Sequence, residues 1–211
     1  VAQPLRLRGM RVLPRIAWLA LGGLGAVLAA VRLQLWVVER DAAAGWLAVV
    51  VGLAMGGALW ALVLVVGLRF RSPRWAGGLL VLAPLIFLTL GYYGTTRYPA
   101  HNFKTPSTAA EWKTLHPTLR LALWLIALED RQLVLTDIAR TAGDYDEMGL
   151  VRQRESSHYI KGDGYAHAMD VRVSNVGEVR NWARQGLFLL MGLQTRRHVG
   201  TADHLHVSLP G

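Results

Sequence analysis

Apolar and polar positions divide the chain near residue 96. No charged residue interrupts the 27 positions from Ala42 to Leu68, or the 22 from Trp75 to Thr96. A helix needs about 20 apolar residues to cross the ~30 Å hydrocarbon core of a bilayer. Both runs therefore predict transmembrane helices, over about 44–68 and 75–96. Pro84 is compatible with the later one, since membrane helices tolerate proline. An earlier run, Ile16 to Val31, stops at Arg32 and resumes as Leu33 to Val38. We read about 15–38 as a first span, with Arg32 extending towards water. An export signal is the rival reading. The apolar sequence beyond Ala29-Ala30, and the two further spans, speak against it. Gly22-Gly23 and Gly56-Gly57 are read as ordinary membrane-helix glycines, with close helix packing as the alternative.

After residue 96 the pattern breaks into shorter units. Residues 97–114 carry Pro99, Thr105, Pro106, Ser107 and Thr108 and read as a linker. His116-Pro117-Thr118 marks a helix start, because proline suits the first helical position. The apolar run Leu119 to Leu128 is too short to span a bilayer and contains Arg120, so it predicts a core helix. Gln132 to Ile138 reads as a strand. Residues 144–147 read as a loop or short helix. Met169, Val171 and Val173 alternate with Asp170 and Arg172 as a second strand. Residues 177–191 read as a helix and 204–209 as a third strand. The expectation is an α+β protein: three N-terminal transmembrane helices (1–96), a linker (97–114) and a small antiparallel-sheet domain (115–211).

Composition sharpens this division. The 211 residues are 53% hydrophobic yet carry a net charge of +9. Nine Arg against one Glu and one Asp leave +7 in residues 1–96, and the rest of the chain holds only +2. The charge lies beside membrane-grade apolar runs, which argues against a nucleic-acid partner. Four Arg precede the first span and three lie in residues 69–74, whereas Glu39-Arg40-Asp41 between spans one and two is net negative. The positive-inside rule then places the N-terminus in the cytoplasm and the C-terminal domain outside it. Cysteine is absent, so any metal must be held by His, Asp or Glu.

All seven His lie in the second half. His158, Asp170 and His206 could converge as two imidazoles and one carboxylate, a donor set that suits a catalytic zinc with an open position. His204 and His206 share one strand face, because side chains alternate along a strand. Asp203 then faces the other way, and needs a turn or bulge to act as general base. His101, His116 and His198 are read as structural or exposed.

Three segments carry a resemblance. Ser156-Ser157-His158, Ala168-Met169-Asp170 and Asp203-His204-Leu205-His206 resemble, in order, the zinc peptidase superfamily of D-Ala-D-Ala carboxypeptidases. That superfamily includes the L-Ala-D-Glu endolysin peptidases and the hedgehog N-terminal fold. Its pattern is roughly S-x-H-x-x-G-x-A-x-D, then [DE]-x-x-H. The likeness covers about residues 115–209 and extends to Leu135–Thr141, where Arg140 matches the family's arginine. It implies His158, Asp170 and His206 as zinc ligands and Asp203 as catalytic base. It implies Arg140 as catalytic and substrate-orienting, and Ser157 as a substrate contact. Eleven residues separate His158 from Asp170, more than in the family, and Ala166 stands in place of its glycine. A loop insertion accounts for the excess; His167 in place of His158, or His204 in place of His206, are the alternative ligands. The implied activity is Zn2+-dependent hydrolysis of peptidoglycan stem peptides at the bacterial cytoplasmic (inner) membrane. Two other readings are a cell-wall-peptide or partner-binding domain of the same fold, and a lysis protein.

Overall fold

The computed structural model describes residues 13–41, 44–68, 73–147, 149, 151, 155–200 and 203–210. The arginines at 6, 8, 11, 69 and 71, on which the charge reading partly rests, lie outside them. The chain is α+β. Helices α1 (Leu13–Val38), α2 (Gly45–Leu68) and α3 (Pro73–Thr96) are long and apolar enough to cross a membrane. The glycine pair of α2 serves close packing. A Cβ on Gly56 would stand 2.6 Å from Ala30 Cβ on α1, and one on Gly57 2.4 Å from Pro84 Cα on α3. Two adjacent glycines thus let α2 approach a neighbour on each side, which corrects the reading of them as incidental.

The second half builds α4 (Pro106–Ala110), α5 (Pro117–Ala127), β1 (Leu135–Asp137), α6 (Ala142–Glu147), β2 (Ala168–Arg172), α7 (Glu178–Met191), β3 (Gln194–His198) and β4 (His204–Ser208). The four strands form one antiparallel sheet in the order β1-β2-β4-β3. Strand β3 escapes the hydrophobic pattern because it is an edge strand, polar and only alternately half-covered. Met169, Val171, Leu205 and Val207 are buried with Phe188 and Met191 of α7 and with Leu119 and Leu123 of α5. By strand alternation, Asp170, His204, His206 and His198 take the opposite face.

Helix α5 starts as its sequence indicates. His116 is the N-cap, its Nδ1 accepting from the Thr118 N–H at 3.2 Å, and Pro117 follows at the first position. The helix is buried nearly all round because it packs on the apolar helices as well as on the sheet. Arg120 on α5 donates from Nη1 to the Thr95 carbonyl at the end of α3, at 3.1 Å. In return, Arg32 on α1 donates from Nε to the Leu190 carbonyl at the end of α7, at 2.9 Å. Residues 97–114, expected as a linker, are built into the domain. Tyr98 stacks on Trp112 at 4.9 Å between centroids, Asn102 is buried, and the Lys104 N–H donates to the Leu135 carbonyl.

Candidate metal centre

Strands β2 and β4 pair so that Asp170 lies opposite His206 and Arg172 opposite His204. This register puts a carboxylate and an imidazole side by side on one sheet face. The third member, His158, comes from the segment before β2, which is pinned on both sides. The Arg140 N–H donates to the His158 carbonyl at 3.0 Å, and the His167 N–H to the Ser157 carbonyl at 2.8 Å. Ser156 sharpens the turn: its Oγ accepts from the His158 N–H at 3.2 Å and from the Tyr145 hydroxyl at 2.6 Å. Beyond His158 the extra residues fold into a small hairpin. Ile160 bridges Ala166, the Lys161 N–H donates to the Tyr165 carbonyl, and Gly164 turns at φ +84. The hairpin takes up the added length, so His158 and Asp170 still meet.

Three donor atoms converge. His158 Nε2 lies 3.2 Å from His206 Nδ1 and 3.3 Å from Asp170 Oδ1, and the last two are 2.9 Å apart. A tetrahedral zinc with bonds of ~2.0–2.1 Å separates its ligands by about 3.3 Å. The residues therefore fit a zinc ion in both donor chemistry and spacing. The outer contacts agree. His158 Nδ1 donates to the Ile138 carbonyl at 2.6 Å, which leaves a lone pair on Nε2. Ser157 Oγ lies 3.4 Å from His206 Nε2, the nitrogen turned away from the cluster. Asp170 Oδ2 accepts from Arg140 Nη2 at 2.7 Å, which leaves Oδ1 for the cluster. Burial works to raise the Asp170 pKa. The imidazoles of His158 and His206 beside it outweigh burial and hold the carboxyl well below the usual carboxylate range. His158 and Asp170 are buried, whereas His204 and His206 are partly exposed, so the cluster opens on the β4 side.

Two expected roles change. Asp203 is not brought to the cluster. Its carboxylate pairs with Arg197, at 3.0 Å from Nη2, and Arg197 also binds Glu178 at the start of α7. Arg197 lies opposite Leu205, out of phase with His204 and His206, so Asp203 faces the other side of the sheet. Arg140 is committed to Asp137 and Asp170. It holds the Asp170 carboxylate in place, and both its carboxylate bonds are inside the protein. A bulge in β1 sets Asp137 opposite Asp170 and so beside this pair.

Two further histidines flank the site: His204, weighed as an alternative ligand, and His198, read as structural or exposed. His198 stacks on His204 at 4.8 Å between ring centroids and lies 6.2 Å from His206. His204 Nε2 is 3.6 Å from Asp170 Oδ2, beside the cluster. The polar run of β3 hid His198, because only pairing with β4 brings it here. His167 lies elsewhere, its Nε2 2.8 Å from Asp163 Oδ2.

His116, Asp163 and His167 form a second His/Asp group. His116 argues against a metal there. Its Nδ1 accepts the Thr118 N–H, so its own proton sits on Nε2 and neither nitrogen offers a free lone pair. Burial, then the neighbouring His167, push its pKa down to about 4.

Comparison of the chain with protein-family models, curated proteins and solved structures finds no match.

Proposed function

We propose that the protein is a membrane-anchored zinc peptidase that hydrolyses peptidoglycan stem peptides, as a D,D-carboxypeptidase or endopeptidase. The observation that carries this reading is the triangle of His158 Nε2, Asp170 Oδ1 and His206 Nδ1, with edges of 2.9 to 3.3 Å. Zinc held there by His158, Asp170 and His206 would supply Lewis acidity. His158 and Asp170 are held rigidly by the Ile138 carbonyl and by Arg140, so the chain offers a preorganised site. The partly exposed β4 side gives a peptide access. With Asp203 held by Arg197, His204, whose Nε2 lies 3.6 Å from Asp170 Oδ2, is a side chain beside the cluster that could accept a proton from water and return it to the leaving amine. The arginines flanking the apolar helices favour a cytoplasmic N-terminus and an outward domain, where peptidoglycan lies.

The test uses the full chain in detergent. Zinc content is measured, then hydrolysis of purified muropeptides by mass spectrometry. The expected result is one zinc per chain and cleavage that a chelator abolishes. Absence of zinc at micromolar supply, or cleavage by His206→Ala at the wild-type rate, sinks the proposal. The diversion of Asp203 to Arg197 favours one other reading, a domain that binds the peptide without cutting it. Zinc-dependent binding with no cleavage supports that reading instead.

A further inference from the structure

We propose that α7 is an interfacial membrane helix whose outward face sits among the lipids on the domain side of the bilayer. This rests on α1, α2 and α3 being membrane spans and is independent of the metal chemistry.

The first observation is the inverted pattern of α7. A surface helix normally turns its charges to water and its apolar stripe inward. Here Arg184 is buried, its Nε bonded to Asp130 Oδ2 at 2.6 Å and its Nη1 to the Arg172 carbonyl at 3.0 Å. It shares the inward face with Asn181, Phe188 and Met191. Val179, Trp182, Ala183, Leu189 and Leu190 point outward, three, four, seven, ten or eleven residues apart and so along one stripe. Trp182 is 66% exposed and Leu190 55%.

The second observation fixes where that stripe lies. Arg32 donates from Nε to the Leu190 carbonyl at 2.9 Å and from Nη2 to the Leu189 carbonyl at 3.4 Å. Gly192, at φ +94, ends α7 so close to α1 that a Cβ on it would stand 3.0 Å from Leu35 Cδ1. Arg32 is six residues before Val38, where α1 ends. At ~1.5 Å per residue Leu35 and Arg32 lie about 5–9 Å inward from that end, and the last turn of α7 packs at their level. Trp36, two residues before the end of α1 and with Arg40 3.6 Å above its ring, marks the aromatic belt just beyond that level. The exposed leucines of α7 thus continue the apolar surface of the spans. An amphipathic helix bearing tryptophan at this depth suits the boundary between headgroups and acyl chains. Bilayer lipid is therefore the occupant.

The chain has no cysteine, so single cysteines report without background. Trp182→Cys, Leu190→Cys and the control Val199→Cys are introduced into the full chain, with Leu62→Cys on the outer surface of α2 as a span control. Each is labelled with an environment-sensitive fluorophore in vesicles of phosphatidylethanolamine and phosphatidylglycerol. The expected result is blue-shifted emission at positions 182 and 190, quenched by spin-labelled lipid, and quenching by aqueous iodide at 199. Iodide quenching at 182 and 190 equal to that at 199, with position 62 shielded from iodide, overturns the proposal and leaves the spans intact. Iodide quenching at 62 as well overturns the spans themselves. Shielding of 182 and 190 from both quenchers also overturns it and identifies a protein, such as a second copy of this chain, as the occupant.

Discussion

At the residue scale the site is decided by which nitrogen carries the proton. His158 gives its Nδ1 proton to the Ile138 carbonyl and presents a bare Nε2. His116 does the reverse, accepting the Thr118 N–H and keeping its proton on Nε2. Two His/Asp groups of similar composition thus differ in chemistry. Contacts behind a ligand typically change metal affinity by about 10–100-fold. Ser157→Ala, which leaves His206 Nε2 without its long contact, is expected at the weak end, about 10-fold, by competition with a chelator. His204→Ala is expected to abolish muropeptide cleavage with zinc retained, whereas Asp203→Asn keeps measurable activity. His116 predicts a pH effect. Its folded pKa of about 4 lies below the ordinary 6.5, so its neutral form stabilises the fold above pH ~6.5. That contribution, on the order of 3 kcal/mol, is lost as pH falls from 6.5 towards 4. His116→Asn keeps a capping acceptor, and its melting temperature should fall less between pH 7 and pH 5. That His158, Asp170 and His206 meet was legible because three motifs keep their order along the chain. Asp203 needed a turn or bulge to reach the cluster; the strand runs in regular register instead, and Arg197 holds the carboxylate on the face that parity gives it. His198 was read as structural or exposed because nothing local to it signals a site.

At the element scale, sequence pattern reported what packs on one side and missed what packs on two. The apolar helices were legible to within two or three residues: the second and third from uncharged runs, the first because its apolar sequence continues beyond Arg32, where an export signal would have ended. Helix α5 was identified, but its all-round burial is a consequence of lying between sheet and spans. Strand β3 left no hydrophobic alternation because it is an edge. The aromatic cluster of Tyr98, Phe103 and Trp112 shows why a Pro- and Thr-rich stretch is no loose linker: three rings dispersed in sequence pack together. In α2, Gly57→Leu is expected to force apart α2 and α3, because its Cβ would meet Pro84 backbone. Overpacking of this kind costs about 1–3 kcal/mol. A lower melting temperature in detergent checks it, with Gly77→Leu, open within 4 Å, as the neutral control.

At the scale of the whole molecule the two halves are mutually capped. Arg120 of the domain satisfies a terminal carbonyl of α3, and Arg32 of α1 satisfies terminal carbonyls of α7. Helix ends leave such carbonyls without partners, so each arginine completes the other half's helix. Residues 97–211 alone would expose the face of α5 that contacts α2 and α3, including Trp124, which packs edge-on against Tyr93 at 6.4 Å. That fragment is expected to self-associate in size-exclusion chromatography without detergent, while the full chain in detergent elutes as one species. The division into two halves was legible from charge and apolar runs. Their interlocking was not, because both arginines look like isolated interruptions in sequence.

The sheet face that bears the donor triangle is turned away from α5 and α7, and those helices rest on the spans. One helical layer, about 10 Å thick, therefore stands between the spans and the sheet. With the spans in a bilayer and the proposed activity in place, the site would be held at a fixed stand-off and would travel only sideways with its anchor. Its search for substrate would then be two-dimensional and its reach a thin slab parallel to the bilayer, with strand ends inside that slab open to it and deeper layers of the wall beyond it.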